Sequence, residues 1–338
     1  MRVLAAMSGG VDSSVAAALL VEEGLDVVGV TLRLWDNPTE AGCCSVAEID
    51  DARRVANVLG IDHLVWTFVD EFDTRVVAPY VAAHAGGLTP NPCIECNRHL
   101  KFGRLLRRAS QLGFDAVATG HHARVVDGRL LRGADPLKDQ SYVLYMLGQA
   151  ELRRVRFPVG VMTKGAVRAR AAALGLPTAD KPDSQDVCFV TTSGGREALL
   201  ASRIPLHPGR VVDTAGAEVG RVDAVELVTI GQRRGLGTGG GARRYALSVD
   251  PAAGTVTVGE AGDLLVDSVP LTELCWVGGE PVTGPVEVQC SAHGDAVAAT
   301  FDGRTMHFAE PQRRVAPGQS VVLYRGDDVL GGGIAVQS

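Results

Sequence analysis

The sequence predicts an α/β protein. A parallel sheet covered by helices is followed by a small β-rich domain and a C-terminal β-barrel. Three observations carry this expectation. Short apolar strands alternate with helical patterns up to about residue 205. The turn after the first strand, Ser8-Gly9-Gly10-Val11-Asp12-Ser13-Ser14, opens directly into an apolar helix. Beyond Ile204-Pro205-Leu206-His207-Pro208-Gly209, helical periodicity is nearly absent, and Val/Thr-rich runs are separated by Gly and Asp. Alternating strands and helices bury a parallel sheet on both faces, whereas evenly spaced short strands build sandwiches and barrels.

The elements follow in order. Val3–Met7 is an apolar strand, Val11–Glu23 a helix with an Ala/Leu face, and Val27–Leu34 the next strand. Ser45 and Glu48 form a capping box for a helix to Leu59, which Gly60 stops. Leu64–Val69 is a third strand, Glu71–His84 and Leu100–Leu112 are helices, and Ala116–Thr119 is a short buried strand. Thr163–Leu174 is helical and ends at Gly175. The later strands include Gly209–Val212, Leu227–Ile230, Tyr245–Val249, Thr255–Val258, Val286–Cys290, Ala296–Phe301 and Ser320–Tyr324. The expected domains are residues 1–205, 206–264 and 265–338.

A strand feeding a Gly/Ser turn at a helix N-terminus is an anion site. The first helical N–H groups lack internal partners, and the helix dipole favours negative charge there. Ser8, Ser13 and Ser14 add hydroxyls. No Gly-x-x-x-x-Gly-Lys-Ser/Thr pattern occurs, and the loop carries no lysine for a γ-phosphate. The loop instead resembles the SGGxDS motif of the PP-loop ATP pyrophosphatases. That resemblance implies cleavage of ATP between its α- and β-phosphates, adenylation of a carbonyl oxygen and release of pyrophosphate.

Composition sets the class. With 46% hydrophobic and 21% charged residues, the chain reads as globular. No basic-then-apolar leader and no membrane-length apolar run is seen, so the expected location is cytoplasmic, with no membrane partner. The net charge of −6 argues against nucleic-acid binding taken alone. The arginines are grouped, however, as in Arg107-Arg108, Arg153-Arg154, Arg233-Arg234, Arg243-Arg244 and Arg313-Arg314. Such pairs either track phosphates on an acidic protein or are solvated faces. Seven cysteines, an odd number, do not suggest a disulfide framework.

The segment Thr89-Pro90-Asn91-Pro92-Cys93-Ile94-Glu95-Cys96-Asn97-Arg98 sets a C-x-x-C after an extended, proline-held turn. Asn97 is expected to cap the following helix, which would put Cys96 near a helix N-terminus and stabilise its thiolate. By itself the pair reads as a redox dithiol, half of a metal site, or chance. A four-cysteine zinc site would need a second C-x-x-C, and there is none.

Together with SGGVDSS, this segment resembles the bacterial tRNA-specific 2-thiouridylase (MnmA) family. Further blocks follow in the same order. They are Gly42-Cys43-Cys44-Ser45, Thr119-Gly120-His121-His122-Ala123, Lys138-Asp139-Gln140-Ser141-Tyr142, Asp183-Ser184-Gln185-Asp186-Val187-Cys188-Phe189, Gly231-Gln232-Arg233-Arg234-Gly235 and Ala316-Pro317-Gly318-Gln319-Ser320. The resemblance spans essentially the whole chain. It implies a PP-loop (adenine nucleotide alpha hydrolase-like) domain, a small central tRNA-binding domain and a C-terminal barrel. ATP with Mg2+ would lie over Ala6, Met7, Ser8, Gly9, Gly10, Val11, Asp12 and Ser13, with Leu32 and Gly120 lining the adenosine. The C2 oxygen of the wobble uridine of tRNA would be adenylated. Sulfur would then arrive as a persulfide on Cys188, supplied by a donor protein such as a cysteine desulfurase or a relay. Cys96 would be its partner thiol, closing a disulfide with Cys188. Asn91, Pro92, Cys93, His121, Lys138, Asp139, Gln140 and Gln319 would contact tRNA.

Departures from the family pattern open alternatives. Many members carry Asp where this chain has Cys93. Cys93, Cys96 and Cys188 could then hold a [4Fe-4S] cluster with one iron open, a route that excludes Cys188 as a persulfide carrier. His122 replaces a usual Tyr, and Cys290-Ser291-Ala292-His293 replaces a basic, aromatic strand. Two other functions compete: a PP-loop synthetase acting on a small molecule, and an iron–sulfur or RNA-binding scaffold with a vestigial loop. The first leaves the cysteines unexplained, and the intact Ser8, Gly9, Gly10, Asp12 and Ser13 argue against the second.

Overall fold

The computed structural model describes residues 1–35, 46–183, 187–192, 194–239 and 243–336. Ser45, Cys43, Cys44 and residues 184–186, on which parts of the sequence reading rest, lie outside these.

In chain order, β1 (Arg2–Ala6), β2 (Asp26–Arg33), β3 (His63–Thr67) and β4 (Ala116–Ala118) belong to one sheet. They are followed by a hairpin, β5 (Ala123–Val126) and β6 (Arg129–Arg132), and by β7 (Val155–Arg156). The first sheet is parallel, in the order β3-β2-β1-β4-β7. Side chains alternate across a strand, and β1 shows what that does here. Val3, Ala5 and Met7 pack with Val15, Ala17 and Ala18 of the helix Val11–Glu22, while Leu4 packs on the opposite side with Phe68, Phe102 and Phe114. Both faces are therefore dry, as a parallel sheet requires. The chain runs β1 to β3 in one direction and then crosses to β4 on the far side of β1. This topological switch point, at the carboxyl ends of the strands, is where open α/β sheets bind ligands.

The central part holds a four-stranded sheet: β8 (Gly209–Val212), β9 (Glu218–Val222), β10 (Tyr245–Asp250) and β11 (Thr255–Gly259), in the order β10-β11-β8-β9. The strand expected over Leu227–Ile230 is not formed. Val225–Leu227 is a 3-10 turn, because side chains take the backbone groups a ladder would use. Arg196 donates to the Leu227 carbonyl, and the Thr229 N–H donates to Gln232 Oε1.

The last part contains β12 (Leu265–Trp276), β13 (Gly284–Gln289), β14 (Val297–Phe301), β15 (Thr305–Arg313), β16 (Ser320–Arg325) and β17 (Asp328–Ala335). They close an antiparallel barrel in the order β12-β15-β14-β13-β16-β17, with β17 returning to β12. The β5–β6 hairpin joins this sheet through β6 and β17. Arg132 at its end stacks on the Tyr324 ring at 3.6 Å and pairs with Asp139 at 3.0 Å. Tyr142 Oη donates to the Ser320 carbonyl at 2.7 Å. The barrel is thus fastened to the loops that follow β4.

One buried histidine gives the fold a pH dependence. His84 is 2% exposed and lies edge-on to Tyr80, with ring centroids 4.6 Å apart. Burial, and then the charge of Arg196, pushes its pKa down to about 4. The folded state refuses a proton that the unfolded chain takes near pH 6.5. Its stabilising effect is therefore complete above about pH 6.5 and is lost as pH falls towards 4, by about 3 kcal/mol. Urea unfolding at pH 7 and pH 4.5 is expected to show a smaller acid-induced loss in His84→Leu than in the wild type. An equal loss in both would show that His84 does not titrate with unfolding.

Candidate active site

The loop between β1 and the first helix lies at the switch point, and its conformation is fixed from within. The Ser8 N–H donates to Ser13 Oγ at 3.1 Å, and Ser13 and Ser14 donate their hydroxyls to the Gly10 carbonyl at 3.0 and 2.8 Å. Gly9 has φ +74°, and a Cβ there would stand 2.4 Å from the Glu48 carbonyl oxygen, so only glycine fits. Ala6 ends β1 and Met7 follows it, Leu32 stands on neighbouring β2, and Gly120 follows β4 on the other side. Gly120 presses on the loop itself: a Cβ there would lie 2.6 Å from the Ser13 nitrogen. The residues expected at ATP are therefore gathered at the carboxyl ends of three adjacent strands. They surround a helix N-terminus suited to phosphate.

A set of charges frames this loop. Asp12 accepts from Lys164 Nζ at 2.7 Å on both carboxylate oxygens and lies 3.2 Å from His122 Nε2. Burial works to raise the Asp12 pKa, but the bonds from His122 and Lys164 outweigh it and the net shift is downward. Lys164 also pairs with Asp183 at 2.9 Å. Lys181 donates to the Gly9 carbonyl at 3.0 Å and pairs with Asp51 at 2.8 Å. Sequence reasoning missed Lys164 and Lys181, which are distant in the chain. One signal was available for the first. Lys164 opens the helix Lys164–Ala173 behind its Thr163 cap, a position where the dipole disfavours a cation and some tertiary partner is needed.

The cysteine segment corrects one expectation. The helical stretch begins at Pro92 rather than after Asn97 and continues to residue 111. Proline suits the first helical position because it has no N–H to satisfy, and Asn91 caps it by accepting from the Cys93 N–H at 3.0 Å. Asn97 lies inside the helix and donates to the Val143 carbonyl. Cys93 is therefore the cysteine in the first turn, and Cys96 lies one turn further on.

Cys93, Cys96 and Cys188 are each half-buried. Cys188 begins the short helix Cys188–Thr192, and its neighbour Phe189 inserts into an aromatic cluster. The Phe189 ring meets Phe72 at 5.5 Å, Tyr80 at 5.6 Å and Trp35 at 6.1 Å. Burial, chiefly, raises the Tyr80 pKa, and the nearby Cys93 adds to the rise. Cys96 and Cys188 both pack on the apolar cluster that contains these rings. Tyr80 thus stands between the two segments, with the Phe189 ring at 5.6 Å and Cys93 close enough to act on its hydroxyl. Among the described residues no three His, Cys, Asp or Glu side chains are grouped to hold a metal ion.

The residues expected at tRNA divide into two groups. Gln319 donates to the Thr89 carbonyl at 2.6 Å and the Thr89 N–H donates to the Pro317 carbonyl, so a barrel loop braces the segment carrying Asn91, Pro92 and Cys93. Gln140 is exposed, and Lys138 reaches Asp183 at 2.8 Å. Two others, His121 and Asp139, turn their side chains inward in the free chain. His121 is buried beside Phe102 and Phe157 and bonds Thr119 at 2.7 Å, and burial first of all holds its pKa well below the usual value. Asp139 accepts from Arg132, from Ser141, and from the Gly133 and Ser141 N–H groups. Its carboxylate shapes the turn that presents Lys138 and Gln140.

Comparison with known proteins agrees with this arrangement. Residues 1–192 match a family described as the tRNA methyl transferase HUP domain, residues 197–260 its PRC-barrel domain, and residues 266–335 an aminomethyltransferase beta-barrel domain. Proteins named tRNA-specific 2-thiouridylase MnmA are similar over nearly their full length. The one from Chloroflexus aurantiacus is 49% identical, covering 98% of this chain and 97% of its own. That of Mycolicibacterium smegmatis is 49% identical over 98% of both chains. That of Rhodococcus jostii is 50% identical over 98% and 97%. With a Gly/Ser loop at the switch point, a C-x-x-C helix and this likeness over nearly the whole chain, the chain belongs to the tRNA-specific 2-thiouridylase family.

Proposed function

We infer that this protein is an ATP-dependent tRNA sulfurtransferase that replaces the C2 oxygen of the wobble uridine with sulfur. The observation that carries the reading is the joining of the two halves of such a reaction in one fold. One chain carries a Gly/Ser loop at a helix N-terminus, suited to activation, and a helix that holds Cys93 and Cys96; Phe189, next to Cys188, packs on Tyr80 in the same apolar cluster that Cys96 borders.

In the first half-reaction the uridine C2 oxygen attacks the α-phosphorus of ATP, and the bond to the β-phosphate breaks. Pyrophosphate leaves with the electron pair. Mg2+ would enter with ATP and offset phosphate charge; the N-terminal helix end and the Ser8 hydroxyl would supply donors, with Ser13 and Ser14 holding the loop in shape through the Gly10 carbonyl. AMP is then a good leaving group on C2. In the second half-reaction the terminal sulfur of a Cys188 persulfide attacks C2 and AMP departs. The Cys96 thiolate attacks Cys188 Sγ and breaks the sulfur–sulfur bond, which leaves sulfur on the base and a Cys96–Cys188 disulfide. A thiol reductant resets the pair, and a cysteine desulfurase or relay reloads Cys188. Asn91, Pro92 and Cys93, braced by Gln319, would meet the splayed-out base, and Lys138 and Gln140 the adjoining backbone.

The test is reconstitution. The purified chain, ATP–Mg2+, an unmodified tRNA transcript, a cysteine desulfurase and cysteine are expected to yield 2-thiouridine, with one pyrophosphate and one AMP per sulfur transferred. Pyrophosphate release that ignores tRNA would favour a small-molecule synthetase. Absence of ATP binding would remove the enzymatic reading.

A further inference from the structure

The loop has no lysine of its own, yet the fold delivers one to it. Lys164 lies 152 residues downstream of Asp12 and grips both of its carboxylate oxygens at 2.7 Å. Its side chain is 12% exposed and also reaches Asp183 at 2.9 Å. Its main chain is fixed as well: the Lys164 N–H donates to Asp135 at 2.8 Å, and the same carboxylate accepts from the Leu137 N–H. Asp183 is shared by three cations, Lys138 at 2.8 Å, Lys164 at 2.9 Å and Arg168 at 2.6 Å. Burial works to raise the Asp183 pKa, but the bonds from Lys138 and Lys164 outweigh it and hold it far below the usual carboxylate range.

Taking an ammonium this far out of water is expensive, and two carboxylates are more compensation than a simple strut needs. Three cations beside a helix N-terminus mark a place with affinity for a multiply charged anion. The second residue of that helix, Asp12, holds the ammonium next to the phosphate loop.

We propose that Lys164 is the cation that binds the departing pyrophosphate half of ATP, with Asp12 and Asp183 as positioning residues that hold its ammonium at the loop. The proposal rests on the ATP-activating reading above and deepens it. When the α–β bond breaks, negative charge grows on the β-phosphate oxygen that leaves. Lys164 donates an N–H to that oxygen and keeps its proton. Asp183, one-third exposed, is the partner that yields part of the Lys164 contact when phosphate arrives.

The test separates phosphate recognition from a structural strut. Binding of ATP, AMP and inorganic pyrophosphate, each with Mg2+, is measured on the full chain and on Lys164→Met and Lys164→Arg. Lys164→Met is expected to weaken ATP and pyrophosphate binding by about ten- to a hundredfold, with AMP within about twofold. Lys164→Arg is expected to recover most of the ATP affinity. Tight tRNA-dependent pyrophosphate release should fall about a hundredfold or more in the methionine variant. If that variant fails to fold, Lys164→Gln carries the same comparison. Equal losses for ATP and AMP, or ATP binding unchanged, would overturn the assignment. Failure of the wild type to bind any of the three would instead overturn the ATP reading beneath it.

Discussion

Cys188→Ser is expected to abolish tRNA thiolation, by about three orders of magnitude or more, while ATP binding and tRNA-dependent pyrophosphate release stay within about twofold. The reason is a division of labour. Activation is assigned in the proposed mechanism to the loop at Ser8–Ser14, whereas Cys188 sits at the start of its own short helix, anchored by Phe189 among Phe72, Tyr80 and Trp35. A serine oxygen cannot carry a persulfide sulfur, but it fills nearly the same space. Cys96→Ser is expected to block turnover in the same way, with one difference. The Cys188 persulfide should still form on incubation with a desulfurase, and mass spectrometry of the chain detects it. Loss of ATP binding in either variant would assign the cysteine a structural role. Full thiolation by Cys188→Ser would remove the persulfide route.

Gly120→Ala is expected to remove ATP activation from the other side. An added methyl would stand 2.6 Å from the Ser13 nitrogen and 2.7 Å from the Asp12 carbonyl carbon, both main-chain atoms. No side chain is available to swing aside, so the loop or β4 has to shift. Overpacking of this kind costs about 1–3 kcal/mol, and the loop it displaces is the one proposed to hold the phosphates. The expected result is a fall in ATP affinity of about tenfold or more, with a lowered melting temperature. An alanine variant with wild-type ATP affinity would show that the Gly120 contact leaves the loop's geometry untouched.

Much of the molecule was legible because its signals are local. The strand before SGGVDSS, the apolar helix after it and the stop at Gly60 are short-range decisions of backbone and capping, and the structure has them in place. The barrel was only partly legible. The run Asp328–Ala335 carries three glycines, which weaken a strand pattern, yet it is a central strand paired to β12 and β16. The hairpin Ala123–Arg132 lies in the first half of the chain but extends the barrel's sheet at β17, a pairing across nearly 200 residues that no window of sequence contains. The Leu227–Ile230 run has strand composition, but its backbone is claimed by Arg196 and Gln232.

The site divides in the same way. By itself the sequence determined the phosphate loop, the C-x-x-C, the presence of Cys188 and the family, because each depends on residue types held at fixed spacing. Tertiary structure alone decided which side chains face the chemistry. It turned His121 into the core and spent Asp139 on a turn. It began the cysteine helix at Asn91–Pro92, placing Cys93 rather than Cys96 in the first turn. It brought Lys164 and Lys181 to a loop with no lysine of its own. The physical reason is that burial and charge pairing are properties of neighbours in space. A capping residue meets its partner two or three positions away, whereas a buried ammonium finds its carboxylates only after the sheet has closed.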